Sequence, residues 1–137
     1  MAHWLLKSEP FVYPWSKLVT DGRIHWDGVR NYTARNNMQA MKLGDRGFFY
    51  HSNEGLEIVG VVEILREAYP DPSDETGKFV MVDIKPVMPV KRTVTLKEMK
   101  ADPRLAEFRL IRQSRLSVVP VTDEEWALIC DKAGIAA

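Results

Sequence analysis

The chain has 137 residues, 45% apolar and 28% charged, the size and make-up of one globular domain with a real core, and a single domain over residues 1–137 is predicted. Lys and Arg number 19 and Asp and Glu number 19, which argues against a broad positive surface for long nucleic acid and leaves room for a local basic site on a neutral body. Cys130 is the sole cysteine, so an internal disulfide and a thiolate metal cluster are excluded.

In chain order, His3 to Lys7 reads as a first strand, ended by Ser8-Glu9-Pro10. Pro14 suits the first turn of a short helix reaching Val19, with Trp15, Leu18 and Val19 turned inward. Asp21-Gly22 closes that helix, and Ile24 to Trp26 leads into a distinctive stretch, Trp26 to Met38. Gly47 to Ser52 is a strong strand, Asn53-Glu54-Gly55 a hairpin loop, and Leu56 to Ala68 a longer strand in which Gly60 marks a bulge. Tyr69 to Asp74 holds two prolines and several polar residues and reads as the mobile loop. Phe79 to Val90 is a strand whose later half Pro86 places at an edge. Thr95-Leu96-Lys97-Glu98 is a capping box opening a two-turn helix, and Leu105 to Ile111 a further helical turn. Arg115 to Val119 closes the sheet. Thr122-Asp123-Glu124-Glu125 caps a last helix to Ala133, with Trp126, Ile129, Cys130 and Ala133 on its inner stripe. Five or six strands with short helices between them indicate an α+β domain around a small closed or nearly closed barrel. Trp4, Trp15 and Trp126 are expected in the core.

The stretch Trp26 to Met38 is rich in recognition side chains and poor in core-fillers. Gly28 marks a turn, and Asn31 is a good N-cap for a helix over Tyr32 to Met41. Arg30 and Arg35 then stand near the positive end of that helix, which calls for an anion or a carboxylate close by. Either a ligand or the chain's own Asp and Glu could supply it. A flat aromatic group can stack on a nucleobase while amides read its edge and cations hold the flanking phosphates. Trp26 with Tyr32 or Tyr50 could stack, Asn31 and Ser8 could read an edge, and Arg30, Arg35 and Lys7 could hold phosphates. Trp26 could equally lid the core.

Signals for catalysis are weaker. Ser8 or Ser52, His51 and Glu9 are the right residue types for a hydrolytic triad, but no Gly-x-Ser-x-Gly elbow is present. His3, His25 and His51 lack metal-ligand spacing, and no phosphate-binding glycine loop occurs, so neither metal nor cofactor is expected. Met1 to Lys7 lacks the apolar run and cleavage site of a signal peptide, and no window approaches membrane-spanning length, which predicts a cytoplasmic protein.

Five motifs carry a likeness. Trp4-Leu5-Leu6-Lys7-Ser8-Glu9-Pro10, Trp26-Asp27-Gly28-Val29-Arg30-Asn31-Tyr32-x-Ala34-Arg35-Asn36, Phe49-Tyr50-His51-Ser52, Val82-Asp83-Ile84 and Leu116-Ser117-Val118-x-Pro120 resemble the EVE domain family. The thymocyte nuclear proteins belong to that family. The resemblance spans nearly the whole chain and implies a PUA-like fold related to YTH and ASCH domains. It further implies a cleft for one modified base, such as modified cytosine, flipped out of DNA or RNA. Carried over by position, that cleft would be lined by Lys7, Ser8, Trp26, Val29, Arg30, Asn31, His51, Ser52, Leu116 and Ser117. Family members commonly hold a tryptophan ahead of the Val82-Asp83 pair, where Phe79 and Met81 stand here in expected core positions.

A non-enzymatic reader of a modified nucleobase is therefore the first expectation. An ASCH-like hydrolase of a nucleoside or small acyl compound, using Lys7, Glu9 or His51 as acid or base, is the alternative. A protein-interaction module acting through the loop Tyr69 to Lys78 is the third.

Overall fold

A computed structural model describes residues 1–137. Six strands form one sheet: β1 (His3–Ser8), β2 (Ile24–Trp26), β3 (Arg46–His51), β4 (Glu57–Pro70), β5 (Val80–Thr95) and β6 (Val118–Val121). Their order is β2-β5-β4-β3-β1-β6, with only β1 and β3 running parallel. Five short α-helices flank it: α1 (Trp15–Asp21), α2 (Tyr32–Ala40), α3 (Leu96–Ala101), α4 (Arg109–Arg112) and α5 (Asp123–Ala133). The α+β expectation holds, and the strand count is six. The barrel is not closed by hydrogen bonds, because β2 and β6 remain as edges. Instead α2 packs against β4, β5 and β6, burying Ala34 and Met38. Asn37 Nδ2 donates to the Val118 carbonyl at 2.8 Å and ties α2 to the β6 edge.

Sheet curvature comes from β4 and β5. Their pairing shifts register at four places, and each such irregularity bends the strand and strengthens its twist. Gly60 sits at one shift, as its place in the sequence suggests, and a second constraint acts there. A Cβ on Gly60 would overlap the indole of Trp15, which lies edge-on to Phe49 at 5.5 Å. Strand β2 pairs only with Val82, Asp83 and Ile84, so Pro86 falls beyond it on an uncovered edge where no ladder donor is required.

Trp4 and Trp126 are buried and Trp15 packs partly buried against the core. Trp4 Nε1 donates to the buried Asp45 at 3.1 Å, and Trp126 stacks on Phe48 with 4.0 Å between centroids. Phe79 and Met81 are buried, as expected. Both capping boxes are present, Thr95 with Glu98 and Thr122 with Glu125. Three expectations change. Val19, expected to turn inward, is exposed, because Leu18 takes the inner face of the short α1. The closing strand starts at Val118 rather than Arg115, because Leu116 N–H bonds back to the Gln113 carbonyl and makes 113–116 a turn. The loop after β4, expected to be mobile, is fastened by two aspartates. Asp74 accepts backbone N–H bonds from Thr76, Lys78 and Phe79.

Asp71, with its side chain fully buried, makes the longer-range tie. Its Oδ2 accepts from Gly28 N–H at 2.9 Å and from Arg30 Nη1 at 3.2 Å, and its Oδ1 accepts from Ser73 N–H and hydroxyl. Burial pushes this carboxyl's pKa up, but the hydrogen bonds from Ser73, Gly28 and Arg30 outweigh it and hold the pKa at about 2. Gly28, at φ 77°, occupies the left-handed region where a side chain is strained.

Two outcomes are expected. Gly60→Ala should destabilise the fold by about 1–3 kcal/mol through overpacking, read as a lower urea midpoint together with a changed tryptophan emission from Trp15. Because the pKa of Asp71 lies below its unfolded value of about 3.9, its stabilisation is complete above that value and fades as pH falls towards about 2. Asp71→Asn should therefore cost about 1–3 kcal/mol near pH 7, with the gap to the parent protein narrowing in urea titrations at about pH 2.5.

Candidate functional site

Two clefts open side by side where β1, β2 and the loop before β6 converge. The first, of about 510 Å³, is lined by Lys7, Ser8 and Glu9 at the end of β1, Val12 and Tyr13 of the following turn, and Ile24 to Gly28 around β2. The second, of about 350 Å³, is lined by Asn31 and Thr33 at the start of α2 and by Arg112 to Leu116 after α4. Lys7 links them, since its Nζ donates to the Ser114 carbonyl at 2.7 Å and its backbone N–H to the Ser117 carbonyl at 3.0 Å. Burial lowers the pKa of this lysine.

The segment Trp26 to Asn31 connects the clefts. Trp26 closes β2 half-buried, its indole edge-on to Phe49 at 5.8 Å, so one side is braced by the core while the residue still lines the first cleft. Past Gly28, Val29 turns into the core. Asn31 is the N-cap of α2: its Oδ1 accepts from Ala34 N–H at 2.9 Å, which leaves the amide nitrogen to face the second cleft. Of the residues singled out from the sequence, Lys7, Ser8 and Trp26 thus meet in the first cleft, and Asn31 and Leu116 in the second.

The others lie elsewhere. Arg30 leans away onto Asp71, the Ser73 hydroxyl and the face of Phe79, so its charge is met by a carboxylate of the chain. Tyr32 stacks on Phe79 at 5.1 Å, and Arg35 lies over the Tyr32 ring while bonding the Lys78 carbonyl and Asn36. These two line neither cleft. His51 and Ser52 stand behind the first cleft: His51 Nε2 accepts Trp15 N–H at 3.1 Å, and Ser52 N–H donates to the Ser8 carbonyl at 2.9 Å. Ser8 is buried and its hydroxyl donates to the Tyr13 carbonyl. The ring nitrogen that could act as a base and the hydroxyl that could act as a nucleophile therefore each serve the backbone, and neither faces the other. Burial lowers the pKa of His51, with Glu57 opposing. Ser117 lends only its carbonyl, to Lys7.

Sequence reasoning missed the basic wall of the second cleft. Arg109, Arg112 and Arg115 recur every third residue in a chain of zero net charge; Arg112 and Arg115 line the cleft, while Arg109 opens α4 outside it. Leu110, between the first two, and Leu116, just after the last, are buried and anchor the segment. Arg112 pairs with Glu107 at 3.0 Å and Arg109 bonds Gln113, while Arg115 is exposed and forms no ion pair. Also missed was His25 on the rim of the first cleft, with Nδ1 2.8 Å from the buried Asp83, which Arg23 and the Tyr69 hydroxyl also contact.

Comparison with known proteins bears on this arrangement. A family model described as the EVE domain matches residues 2–132. Thymocyte nuclear protein 1 of Gallus gallus is 38% identical over 161 aligned positions that take in 93% of this chain, which spans 66% of that relative's length. A crystal structure of a protein from Agrobacterium tumefaciens is 48% identical with a TM-score of 0.97, covering 99% of this chain and 95% of that one. The crystal structure of human THYN1 in complex with 5-methylcytosine containing DNA is 34% identical with a TM-score of 0.91, covering 100% of both chains. The thymocyte relatives are named as nuclear proteins, which overturns the cytoplasmic expectation. With the model match covering almost every residue and relatives of this identity, the chain belongs to the EVE domain family.

Proposed function

We infer that this protein binds a modified nucleobase flipped out of a DNA strand, the base lying in the first cleft against Trp26 and the flanking backbone crossing the second. The observation that carries the reading is the pairing of unlike clefts across Lys7: an aromatic-walled one of about 510 Å³ beside one walled by arginines. The first falls within the roughly 300–1,000 Å³ of small-molecule sites. A braced indole loses little freedom on stacking, and a stacked base contributes about 1–3 kcal/mol. Lys7 keeps two ammonium protons beyond the one given to Ser114, and the amide nitrogen of Asn31 and the guanidinium of Arg115 offer further donors to phosphate oxygens. Val29 in the core and His51 and Ser52 behind the first cleft brace its walls, while Arg30, Tyr32 and Arg35 lie outside both clefts. The relative solved with 5-methylcytosine DNA supplies the choice of base for a first test.

Binding is favoured over hydrolysis because the Ser8 hydroxyl and the His51 ring nitrogen are engaged by the backbone. One methyl group buries little surface, so methylation should change affinity by about fourfold, equivalent to roughly 0.8 kcal/mol. Fluorescence anisotropy with a labelled duplex carrying one 5-methylcytosine checks the reading. Trp26→Ala should weaken binding about tenfold or more, with far-ultraviolet circular dichroism unchanged. Arg115→Ala should reduce the slope of log K against log salt by about one. Equal affinity of the parent protein for methylated, hydroxymethylated and plain duplexes would overturn the base-reading proposal.

A further inference from the structure

The turn that forms the lip of the first cleft carries a feature the cleft itself leaves unexplained. Phe11 is 84% exposed and Val12 72% exposed, the two together forming an apolar knob at the mouth of the cleft. Single exposed apolar residues are ordinary on protein surfaces. Here, however, the backbone presenting them is pinned. Val12 and Tyr13 N–H both bond to the Glu9 carbonyl, the Tyr13 carbonyl accepts the Ser8 hydroxyl, and Trp15 N–H is held by His51. The knob thus cannot fold back onto the core, and nothing else in the chain covers it. Glu9, Val12 and Tyr13 of the same turn line the cleft, whereas Phe11, between them in sequence, does not.

We propose that Phe11 is a wedge that enters the base stack of the bound nucleic acid and fills the gap left when the target base swings into the cleft. This rests on the base-flipping reading above. A base leaving a duplex abandons stacking on both neighbours, and proteins that distort DNA offset that loss by inserting an apolar side chain between base steps. A phenyl ring on a rigid turn is suited to such insertion, being flat and apolar. Continuity with the cleft selects this occupant over an unrelated partner, since a strand delivering a base past Val12 would bring its neighbouring bases close to the adjoining, exposed Phe11. Phe11 therefore acts on the opening of the duplex, and Trp26 on the opened base.

The test uses the full chain and two labelled duplexes, one with 5-methylcytosine paired to guanine and one with it opposite an abasic site, where it is already unpaired. Phe11→Ala should weaken binding to the paired duplex about tenfold and to the abasic duplex less than about threefold. Phe11→Trp should restore the paired-duplex affinity to within about threefold of the parent. Phe11 packs against nothing that folding requires, so both variants remain folded. Unchanged binding of Phe11→Ala to both duplexes, or an equal loss on both, would overturn the wedge while leaving the base-reading proposal standing. Failure of the parent protein to bind either duplex, or to prefer the modified base, would overturn that reading first and the wedge with it.

Discussion

Asp71 projects from the loop after β4 into the interior and there accepts a hydrogen bond each from Gly28 N–H, Arg30, and the backbone and hydroxyl of Ser73. A buried carboxylate left without these partners would cost several kcal/mol, so its presence sets where the 26–31 segment must run. That segment carries Trp26 to one cleft and Asn31 to the other. The same bonds turn a stretch rich in proline and aspartate into a fastened buttress rather than a lid. Rigidity at this point matters for a stacking site, because an indole held at one angle gives up less freedom when a ligand arrives.

The balance of charge is local rather than global. Several acids are spent inside the fold: Asp45 on Trp4 and Lys42, Asp71 on Gly28 and Arg30, Asp83 on Arg23, His25 and Tyr69, and Asp102 on Arg104 and Lys132. The arginines of the 109–115 segment stay at the surface, with one carboxylate, Glu107, paired to Arg112. A chain of zero net charge thereby presents one basic wall. On the function proposed above, such a wall would steer a phosphate chain towards one cleft without the broad, salt-sensitive adhesion of a generally basic protein.

The turn from Ser8 to Trp15 shows how groups with catalytic credentials are put to structural use. The Ser8 hydroxyl and His51 ring close backbone bonds at the two ends of this turn, and the Trp15 indole seats it on the bare backbone of Gly60. Substituting any of the three would be felt as a shift in the cleft lip. A loss of binding after mutating Ser8 or His51 would then report geometry and not chemistry at those side chains.

By itself the sequence determined what short-range physics controls. Thr95 with Glu98 and Thr122 with Glu125 close their boxes across three residues, and Asn31 caps α2 through Ala34, so each is decided before any tertiary contact forms. The stripe of Trp126, Ile129, Cys130 and Ala133 likewise follows from local periodicity. Tertiary structure decided the partners separated by long stretches of chain: Arg30 and Asp71, Lys7 and Ser114, Trp26 and Phe49. An arginine in sequence does not reveal whether its charge meets a carboxylate of its own chain, as at Arg30, or is left free, as at Arg115. That choice depends on which distant segments the curled sheet brings together, and with it go the two clefts and their basic wall.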